Sequence, residues 1–321
     1  MVFRRSKHNP ILTRRDIPNI PPHFTDVTSV FNPGAVKRGD RYLLLLRVQS
    51  RGRETSLLRA ESRNGVKFNV SARPVELHGL ENEEHKIYHV YDPRITAIED
   101  EFFITLAVDT NVGCRMGIAR TADFESFQFV GVVPDVDTRN AVLFPERIDG
   151  WYVRLDRPNT EYSSFGPPTG LEIAIAISED LVKWEPRGTV MRGRIHYWDE
   201  LIGSGPPPVK TREGWLHIYH GVATHFGAAN IYQIGVVLLD LEDPSKVVAR
   251  GRNNVLEPRE QYELVGQVSN VVFPTGLIVE RYDDDGFAKM DSDVLLYYGA
   301  ADTCVCLATS TVRELVDACG E

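Results

Sequence analysis

The chain has 321 residues, of which 42% are hydrophobic and 25% are charged. This composition is typical of a globular protein with enough apolar material for a buried core, and it excludes disordered, collagen-like and low-complexity chains. The formal net charge of -9 gives the protein a long-range field that repels polyanions. We therefore expect neither nucleic acid nor an anionic membrane as a partner.

The cysteines and the N-terminus indicate a cellular compartment. None of the four cysteines has the spacing of a zinc site; they are Cys114, Cys304, Cys306 and Cys319. The N-terminus is basic, but no apolar stretch of signal-peptide length precedes Pro10. No run approaches the roughly 20 apolar residues that span a bilayer. These features predict a cytoplasmic protein with reduced thiols and no membrane partner.

A repeated layout organises the chain. Five segments each lead from a polar residue or glycine into proline, pass through a short apolar strand, turn at glycine or aspartate, and enter a strongly apolar or aromatic strand. Their prolines are Pro33, Pro93, Pro145, Pro207 and Pro274. Each interval has room for about four short strands with their turns. Turns beginning at Thr121 and Ser178 add strand pairs typical of outer hairpins.

Five such units predict an all-β fold, a five-bladed β-propeller with a short C-terminal helix. Radial closure favours this fold because it buries the strand edges that an open sheet of this size would expose. A pair of β-sandwiches is the alternative. We expect a single domain over 1–321, in which residues 1–30 contribute to blade closure and residues 309–319 form the helix. The polar residues that open each unit would then meet at the propeller axis.

Asp92 is the first candidate for chemistry, because it stands at a strand entrance directly before Pro93. A carboxylic acid at the axis could act as a general acid on a glycosidic oxygen. The alternative is an ordinary turn in which Arg94 pairs locally.

Arg139 and Arg157 are the second candidates, since they occupy equivalent points of neighbouring predicted strands. Two guanidinium groups placed this way would bind a phosphate bidentately. The alternative is a surface role in which they bridge Asp156 and Glu146. His220, at the end of an apolar strand, is open to both a core role and a site role.

Two further strings contain candidate sugar-binding groups. The Trp198-Asp199 string supplies an aromatic ring that could stack on a sugar face, and Asp302 offers a carboxylate to sugar hydroxyls. The alternatives are a loop packed on the propeller and an ordinary strand-end turn.

In combination, these motifs resemble the inverting β-mannoside phosphorylases of glycoside hydrolase family 130. The resemblance covers roughly residues 30 to 303 and depends on eight motifs in order. They are Asn32-Pro33-Gly34-Ala35, Leu46-Arg47, Asp92-Pro93-Arg94, Asn140 to Glu146, Arg157-Pro158, Gly205-Pro206-Pro207-Pro208, Tyr219-His220-Gly221 and Tyr298 to Asp302. Members of that family are five-bladed propellers.

The resemblance implies a role for each matching residue. Asp92 would be the general acid, acting through a hydroxyl of the bound mannose, and Arg139, Arg157 and His220 would hold inorganic phosphate. The expected sugar-binding set is Asn32, Arg47, Tyr91, Arg94, Asn140, Trp198, Asp199, Tyr232 and Asp302. A single carboxylate suffices because phosphate is already a nucleophile at neutral pH, so no base is needed to activate water.

The implied reaction is reversible phosphorolysis of β-mannosides to α-mannose 1-phosphate, with inorganic phosphate as co-substrate and no cofactor or metal. The substrates would be β-1,4- or β-1,2-linked manno-oligosaccharides, or mannosyl-glucose or mannosyl-N-acetylglucosamine. A β-mannoside hydrolase on the same fold and a non-catalytic carbohydrate-binding propeller are the alternatives. The pair Arg139 and Arg157 argues against the hydrolase, because water needs no cationic cradle.

The chain departs from the family pattern at two positions. Tyr91 stands where many members carry glutamate, and Leu201 stands where a cation is usual. We expect Leu201→Lys to alter acceptor preference measurably and leave the phosphate KM nearly unchanged, with Arg194 and Lys210 as the nearest cations in sequence. Linkage and acceptor length depend on loops such as 161–169 and 192–198. Whether the chain forms a homo-oligomer stays open.

Overall fold

The computed structural model describes residues 1–21, 24–133, 137–159, 170–224 and 229–320. The loop Glu161 to Thr169 lies outside the described residues. In these ranges the chain forms five mainly antiparallel sheets, each of four or five strands. No helix in the same ranges is both long enough and apolar enough to cross a membrane.

The strands follow one another blade by blade. The chain opens with β1 (Arg4–Arg5). Blade 1 then contains β2 (Val27–Val30), β3 (Gly34–Arg38), β4 (Arg41–Ser50), β5 (Thr55–Ser62) and β6 (Asn69–Pro74). Blade 2 contains β7 (Leu77–His78), β8 (Ile87–Ile98), β9 (Glu101–Thr110), β10 (Gly113–Thr121) and β11 (Phe127–Val133).

Three further blades complete the ring. Blade 3 contains β12 (Thr138–Leu143), β13 (Tyr152–Pro158), β14 (Glu172–Ser178) and β15 (Glu185–Arg192). Blade 4 contains β16 (Leu201–Ser204), β17 (Val209–Thr211), β18 (Gly214–Ala223), β19 (Ile231–Leu239) and β20 (Val247–Arg250). Blade 5 contains β21 (Val272–Val279), β22 (Asp293–Ala300) and β23 (Cys304–Thr311), and the helices are α1 (Gln261–Leu264) and α2 (Val312–Asp317).

The five repeat prolines all lie on the inner edges of the blades. Pro93 and Pro274 fall at irregularities within β8 and β21, and Pro145 directly follows β12. Pro33 and Pro207 separate the two short inner strands of blades 1 and 4. Proline has no N–H to donate to a ladder, so it is tolerated where pairing is interrupted. The repeat in the sequence therefore marks the blades, as predicted.

Five apolar clusters lie between neighbouring blades and close the ring. Each cluster joins side chains from two adjacent sheets. Representative pairs, in order from the blade 1–2 interface to the blade 5–1 interface, are Leu45 with Ile104, Ile118 with Leu143, Phe144 with Trp215, Ile218 with Leu296, and Tyr297 with Leu46. Burial of these side chains is the main term that stabilises the ring.

The two ends of the chain meet in blade 5. There β1 pairs with β23, so the N-terminal strand forms the outer edge of the C-terminal blade. Arg5 donates to the buried Glu263 carboxylate at 2.7 Å, which attaches that strand to α1. The C-terminal helix is shorter than the predicted 309–319, because Thr309 and Ser310 pair with β22 and Thr311 caps α2.

The predicted outer hairpins are confirmed, and their turns share one construction. The Thr121 hydroxyl accepts from the amides of Asp123 and Phe124. The Ser178 hydroxyl accepts from those of Asp180 and Leu181 in the same way. Side-chain oxygens that mimic backbone acceptors are a common way to build such turns.

Candidate active site

A cavity of about 670 Å³ opens on the propeller axis. We call it the axial pocket. Its lining comes from all five blades and, among the described residues, comprises Asn32, Arg47, Gln49, Gly52, Arg53, Glu54, Thr55, His89, Tyr91, Asp92, Asp109, Arg139, Asn140, Arg157, Tyr232, Val268, Val271, Phe273 and Asp302. Nine of the sequence-predicted site residues are in this set.

Backbone irregularities aim three of the polar side chains into the axial pocket. Asp92 lies at the bulge in β8 with φ 53°, Asn140 lies at the bulge in β12 with φ 54°, and Asp302 lies in the β22–β23 turn with φ 50°. Aspartate and asparagine adopt this left-handed conformation more readily than other side-chain residues. A bulge redirects a side chain that regular pleating would send elsewhere. The aspartate and asparagine side chains at these positions therefore tolerate the left-handed backbone and also supply polar groups to the axial pocket.

Two donors from blade 1 hold the Asp92 carboxylate. Asn32 Nδ2 donates to Oδ1 at 3.2 Å, and Arg47 Nη1 donates to the same oxygen at 3.0 Å. No described residue donates to Oδ2, and the Asp92 side chain is 13% exposed. Oδ2 is therefore available to accept a further hydrogen bond.

Arg47 is itself held between two aromatic rings. Its guanidinium carbon lies 4.2 Å from the ring centroid of Phe31 and 4.5 Å from that of Tyr91, a double cation–π arrangement. The Tyr91 hydroxyl donates to Asp109 Oδ1 at 2.8 Å, and burial raises the pKa of Tyr91. Tyr91 is thus a neutral wall that fixes the ion pair of Arg47 with Asp92.

Arg139 and Arg157 lie directly opposite each other on β12 and β13, as their spacing predicted. Among the described residues Arg157 has no hydrogen-bond or ion-pair partner, and Arg139 reaches only Asp109, at 4.0 Å. Burial, followed by the charge of Arg139, lowers the pKa of Arg157. Two neighbouring guanidinium groups with so little charge compensation from the described residues are an arrangement that suits an anion.

The alternative surface role of these arginines is not observed. Asp156 accepts from Arg154 at 2.9 Å, and Glu146 accepts from Lys210 at 2.6 Å. Both acids are therefore occupied by other cations.

His220 lies behind the pocket wall, outside the lining. Its ring centroid is 4.6 Å from that of Phe273 and 6.2 Å from that of Tyr232. Gly203 lies against it, since a Cβ there would be 2.4 Å from His220 Cε1 and 2.9 Å from Asn140 Oδ1. Burial, then the charges of Arg157 and Arg94, hold the pKa of His220 well below its ordinary 6.5. The imidazole is therefore neutral near pH 7, so His220 would bring no positive charge to a phosphate.

Asp302 and Tyr232 complete the polar lining on blades 5 and 4. Burial raises the pKa of Asp302 to about 6, with the charge of Arg47 lowering it and that of Asp92 raising it further. Burial also raises the pKa of Tyr232, while Arg157 lowers it. Asp302 therefore titrates closer to neutrality than an ordinary aspartate.

Three predicted sugar-binding residues are not brought to the axial pocket. Asp199 is fully buried and accepts from Arg194, Arg250 and Tyr219, while Trp198 stacks on Tyr219 with ring centroids 5.9 Å apart. These contacts belong to the packing of blade 4, so neither side chain is placed to meet a sugar in the axial pocket.

Arg94 is the third of these residues, and it is 1% exposed. Its Nε and Nη2 donate to the carbonyls of Gly205 and Ser204 at 2.8 and 3.2 Å, and its Nη1 donates to that of Asp92 at 3.2 Å. Burial lowers its pKa to about 10, which leaves it charged. Its contacts join blade 2 to blade 4 beneath the pocket, so it supports the site without lining it.

Sequence reasoning missed Gln49, His89 and Asp109, all of which line the pocket. Period-two alternation would have found two of them. Gln49 stands two residues after Arg47 on β4, and His89 stands two residues before Tyr91 on β8, so each shares a face with a recognised residue. Asp109 had no signal beyond its place at the end of an apolar strand.

Known proteins resemble this chain over almost all of its length. The model of glycoside hydrolase family 130, described as beta-1,4-mannooligosaccharide phosphorylase, matches residues 3–321. The beta-1,4-mannooligosaccharide phosphorylase of Ruminococcus albus is 32% identical over 324 residues, covering 98% of this chain and 90% of that protein. The 1,2-beta-oligomannan phosphorylase of Thermoanaerobacter sp. is 32% identical over 302 residues, covering 89% and 91%.

The fold is shared with a solved relative. The structure of beta-1,2-mannobiose phosphorylase from Listeria innocua, in complex with beta-1,2-mannobiose, aligns with a TM-score of 0.84 over 99% of both chains, at 26% identity. Fold and axial pocket place this chain among the five-bladed propellers that act on glycosidic bonds. Within that class the chain belongs to glycoside hydrolase family 130, because the family model spans nearly its whole length.

Proposed function

We propose that the chain is an inverting β-mannoside phosphorylase that converts a β-mannoside and inorganic phosphate into α-mannose 1-phosphate and a shortened acceptor. The observation that carries the proposal is the pair of facing arginines in the same pocket as Asp92: among the described residues Arg157 has no partner, and Arg139 has only Asp109 at 4.0 Å. A hydrolase needs an acid and a base but no anion site. Family membership supports the same reaction class.

Asp92 is the general acid of this mechanism. Asn32 and Arg47 fix Oδ1, so Oδ2 meets a hydroxyl of the bound mannosyl unit, through which the proton passes to the glycosidic oxygen. As the bond from the anomeric carbon to that oxygen breaks, the leaving oxygen takes the proton and departs as a neutral alcohol. Proton transfer at this point makes the acceptor a better leaving group.

Phosphate is the nucleophile, held by Arg139 and Arg157. One phosphate oxygen forms the new bond to the anomeric carbon from the face opposite the leaving oxygen, so the β-linkage becomes an α-phosphate. The guanidinium groups orient phosphate and offset its charge. Neutral His220 supports the wall formed by Tyr232 and Phe273, and could contribute an N–H but no charge.

The names of the relatives indicate the class of substrate, β-linked mannosides, for both the acceptor and the linkage. The two relatives named above act on β-1,4 and β-1,2 linkages and match this chain with the same identity, 32%. We therefore propose β-linked manno-oligosaccharides as substrates, with mannosyl-glucose and mannosyl-N-acetylglucosamine as further candidates. The cysteine pattern favours a cytoplasmic location for the reaction.

The test is the reaction run in reverse. Purified protein is incubated with α-mannose 1-phosphate and each of mannose, glucose, N-acetylglucosamine and mannobiose, and released phosphate is measured. We expect phosphate release that requires an acceptor and yields a β-mannoside. Phosphate release at the same rate without any acceptor would overturn the proposal, as would no reaction with any acceptor or with longer manno-oligosaccharides.

A further inference from the structure

A chain of side-chain hydrogen bonds leads from Ser29 on blade 1, through Gln267, to Gln49 at the rim of the axial pocket. The Ser29 hydroxyl donates to Gln267 Oε1 at 2.9 Å, and Gln267 Nε2 donates to Gln49 Oε1 at 3.0 Å. Gln49 is 6% exposed and lines the pocket, whereas Gln267 does not line it. Because Gln49 Oε1 already accepts a hydrogen bond, Nε2 is the group that Gln49 offers to a ligand. No described residue accepts a hydrogen bond from this Nε2.

The position of Gln49 along β4 determines which sugar it can meet. It stands two residues beyond Arg47, about 7 Å farther along the strand, and β4 ends one residue later at the turn that carries Gly52 and Arg53. Arg47 holds the acid Asp92, so Gln49 lies beyond the acid on the side of the rim. His89 flanks the same rim from β8.

The phosphate side of the pocket lies elsewhere. Arg139 and Arg157 belong to blade 3, which is not adjacent to blade 1 in the ring. Inversion places the leaving group opposite the nucleophile, so the acceptor sugar extends from Asp92 away from these arginines. Blade 2 separates blade 1 from blade 3, so we take the rim of blade 1 as the side on which the acceptor lies.

We propose that Gln49 donates a hydrogen bond from Nε2 to an oxygen of the acceptor sugar, and that Gln267 is the positioning residue that orients the Gln49 amide. This inference rests on the proposed function and adds a determinant of acceptor specificity to it. A buried amide whose donors match a sugar oxygen discriminates against acceptors that lack that oxygen, because the donors are then left unpaired.

Gln49→Ala removes the donors without adding a charge. In the reverse reaction, KM for the acceptor rises about threefold to tenfold, the effect of losing one neutral hydrogen bond, while KM for α-mannose 1-phosphate stays within twofold. The increase is largest for the preferred acceptor of the panel. Gln261→Ala, at an exposed position on α1, is the matched control and changes neither constant.

Gln267→Glu tests the orientation without changing a pocket-lining residue. A carboxylate at 267 donates nothing to Gln49 Oε1 and instead accepts from Nε2, which turns the Gln49 carbonyl towards the sugar. KM for the acceptor then rises as in Gln49→Ala, with kcat at saturating acceptor and the thermal midpoint nearly unchanged.

The outcomes separate this inference from the proposed function. A wild-type protein that releases no phosphate with any acceptor refutes the function itself. A wild-type protein that is active, with an unchanged acceptor KM in both Gln49→Ala and Gln267→Glu, refutes the inference and leaves the function standing. An equal rise in KM for α-mannose 1-phosphate would place Gln49 at the mannosyl unit and also refute the inference.

Discussion

The Arg47 guanidinium donates to Asp92 Oδ1 at 3.0 Å while lying between the rings of Phe31 and Tyr91. This relationship joins blades 1 and 2 at the propeller axis and fixes one oxygen of the only carboxylate that the proposed mechanism requires. Asp302 is another carboxylate of the described lining, and its buried environment gives a separate prediction.

Asp92→Asn keeps the shape of the acid and removes its proton. We expect kcat for cleavage of a β-mannosyl disaccharide to fall about 10²-fold to 10⁴-fold, the usual contribution of a general acid. The thermal midpoint should change little, because Asn32 and Arg47 can still donate to the amide oxygen. Initial rates at saturating phosphate measure the effect, and turnover within threefold of wild type would remove Asp92 from the mechanism.

Arg157→Ala should raise KM for phosphate about tenfold to a hundredfold, since hydrogen bonds to charged groups have net values of about 1.5–3 kcal/mol. Arg139→Ala should have a smaller effect, because that side chain is 43% exposed and lies near Asp109. Arg187→Ala on the outer strand of the same blade is the control. Phosphate titrations at fixed disaccharide report all three values. If the phosphate KM of Arg157→Ala and Arg139→Ala equalled that of the control, both arginines would have only a structural role.

The position of Leu201 in the sheet changes the effect that we expect of Leu201→Lys. Leu201 pairs with Val222, and Val222 pairs with Tyr232, so these side chains share the face of blade 4 that also carries His220. A lysine there adds a cation on the phosphate side, and we expect KM for phosphate to fall severalfold with acceptor preference unchanged. Leu201→Met is the control. A changed acceptor preference with constant phosphate KM would instead support the expectation drawn from the sequence.

Asp302→Asn should stabilise the protein in a pH-dependent way. Folding raises the pKa of Asp302 from 3.8 to about 6, so the folded state favours the protonated acid. The stabilisation that protonated Asp302 gives the folded state is complete below about pH 4 and is lost as the pH rises through about 6. The variant should therefore exceed wild type by up to about 3 kcal/mol in free energy of unfolding at pH 7.5, and match it at pH 3.5.

Urea denaturation at both pH values, without phosphate in the buffer, measures this difference. Asp284→Asn, at an exposed position in the loop before β22, serves as the control and should show no gain. A variant of Asp302 that is no more stable than wild type at pH 7.5 would contradict the raised pKa.

The repeated pattern in the sequence was enough to predict the architecture, but the sequence did not show the direction in which several side chains point. Prolines and strand spacing identified the five blades, and equal offsets placed Arg139 opposite Arg157. Motif matching could not tell that Arg94 and Asp199 turn into the protein, because that depends on which carbonyls and cations surround them after folding. The neutrality of His220 likewise follows from burial beside two arginines that are distant in sequence.

The most direct test of the central claim is the first product formed from a β-linked manno-oligosaccharide. Proton and phosphorus NMR time courses are recorded with purified enzyme, with and without inorganic phosphate. We expect α-mannose 1-phosphate to be the first product when phosphate is present, and cleavage without phosphate to be at least a hundredfold slower. Free mannose released at equal rates under both conditions would contradict it.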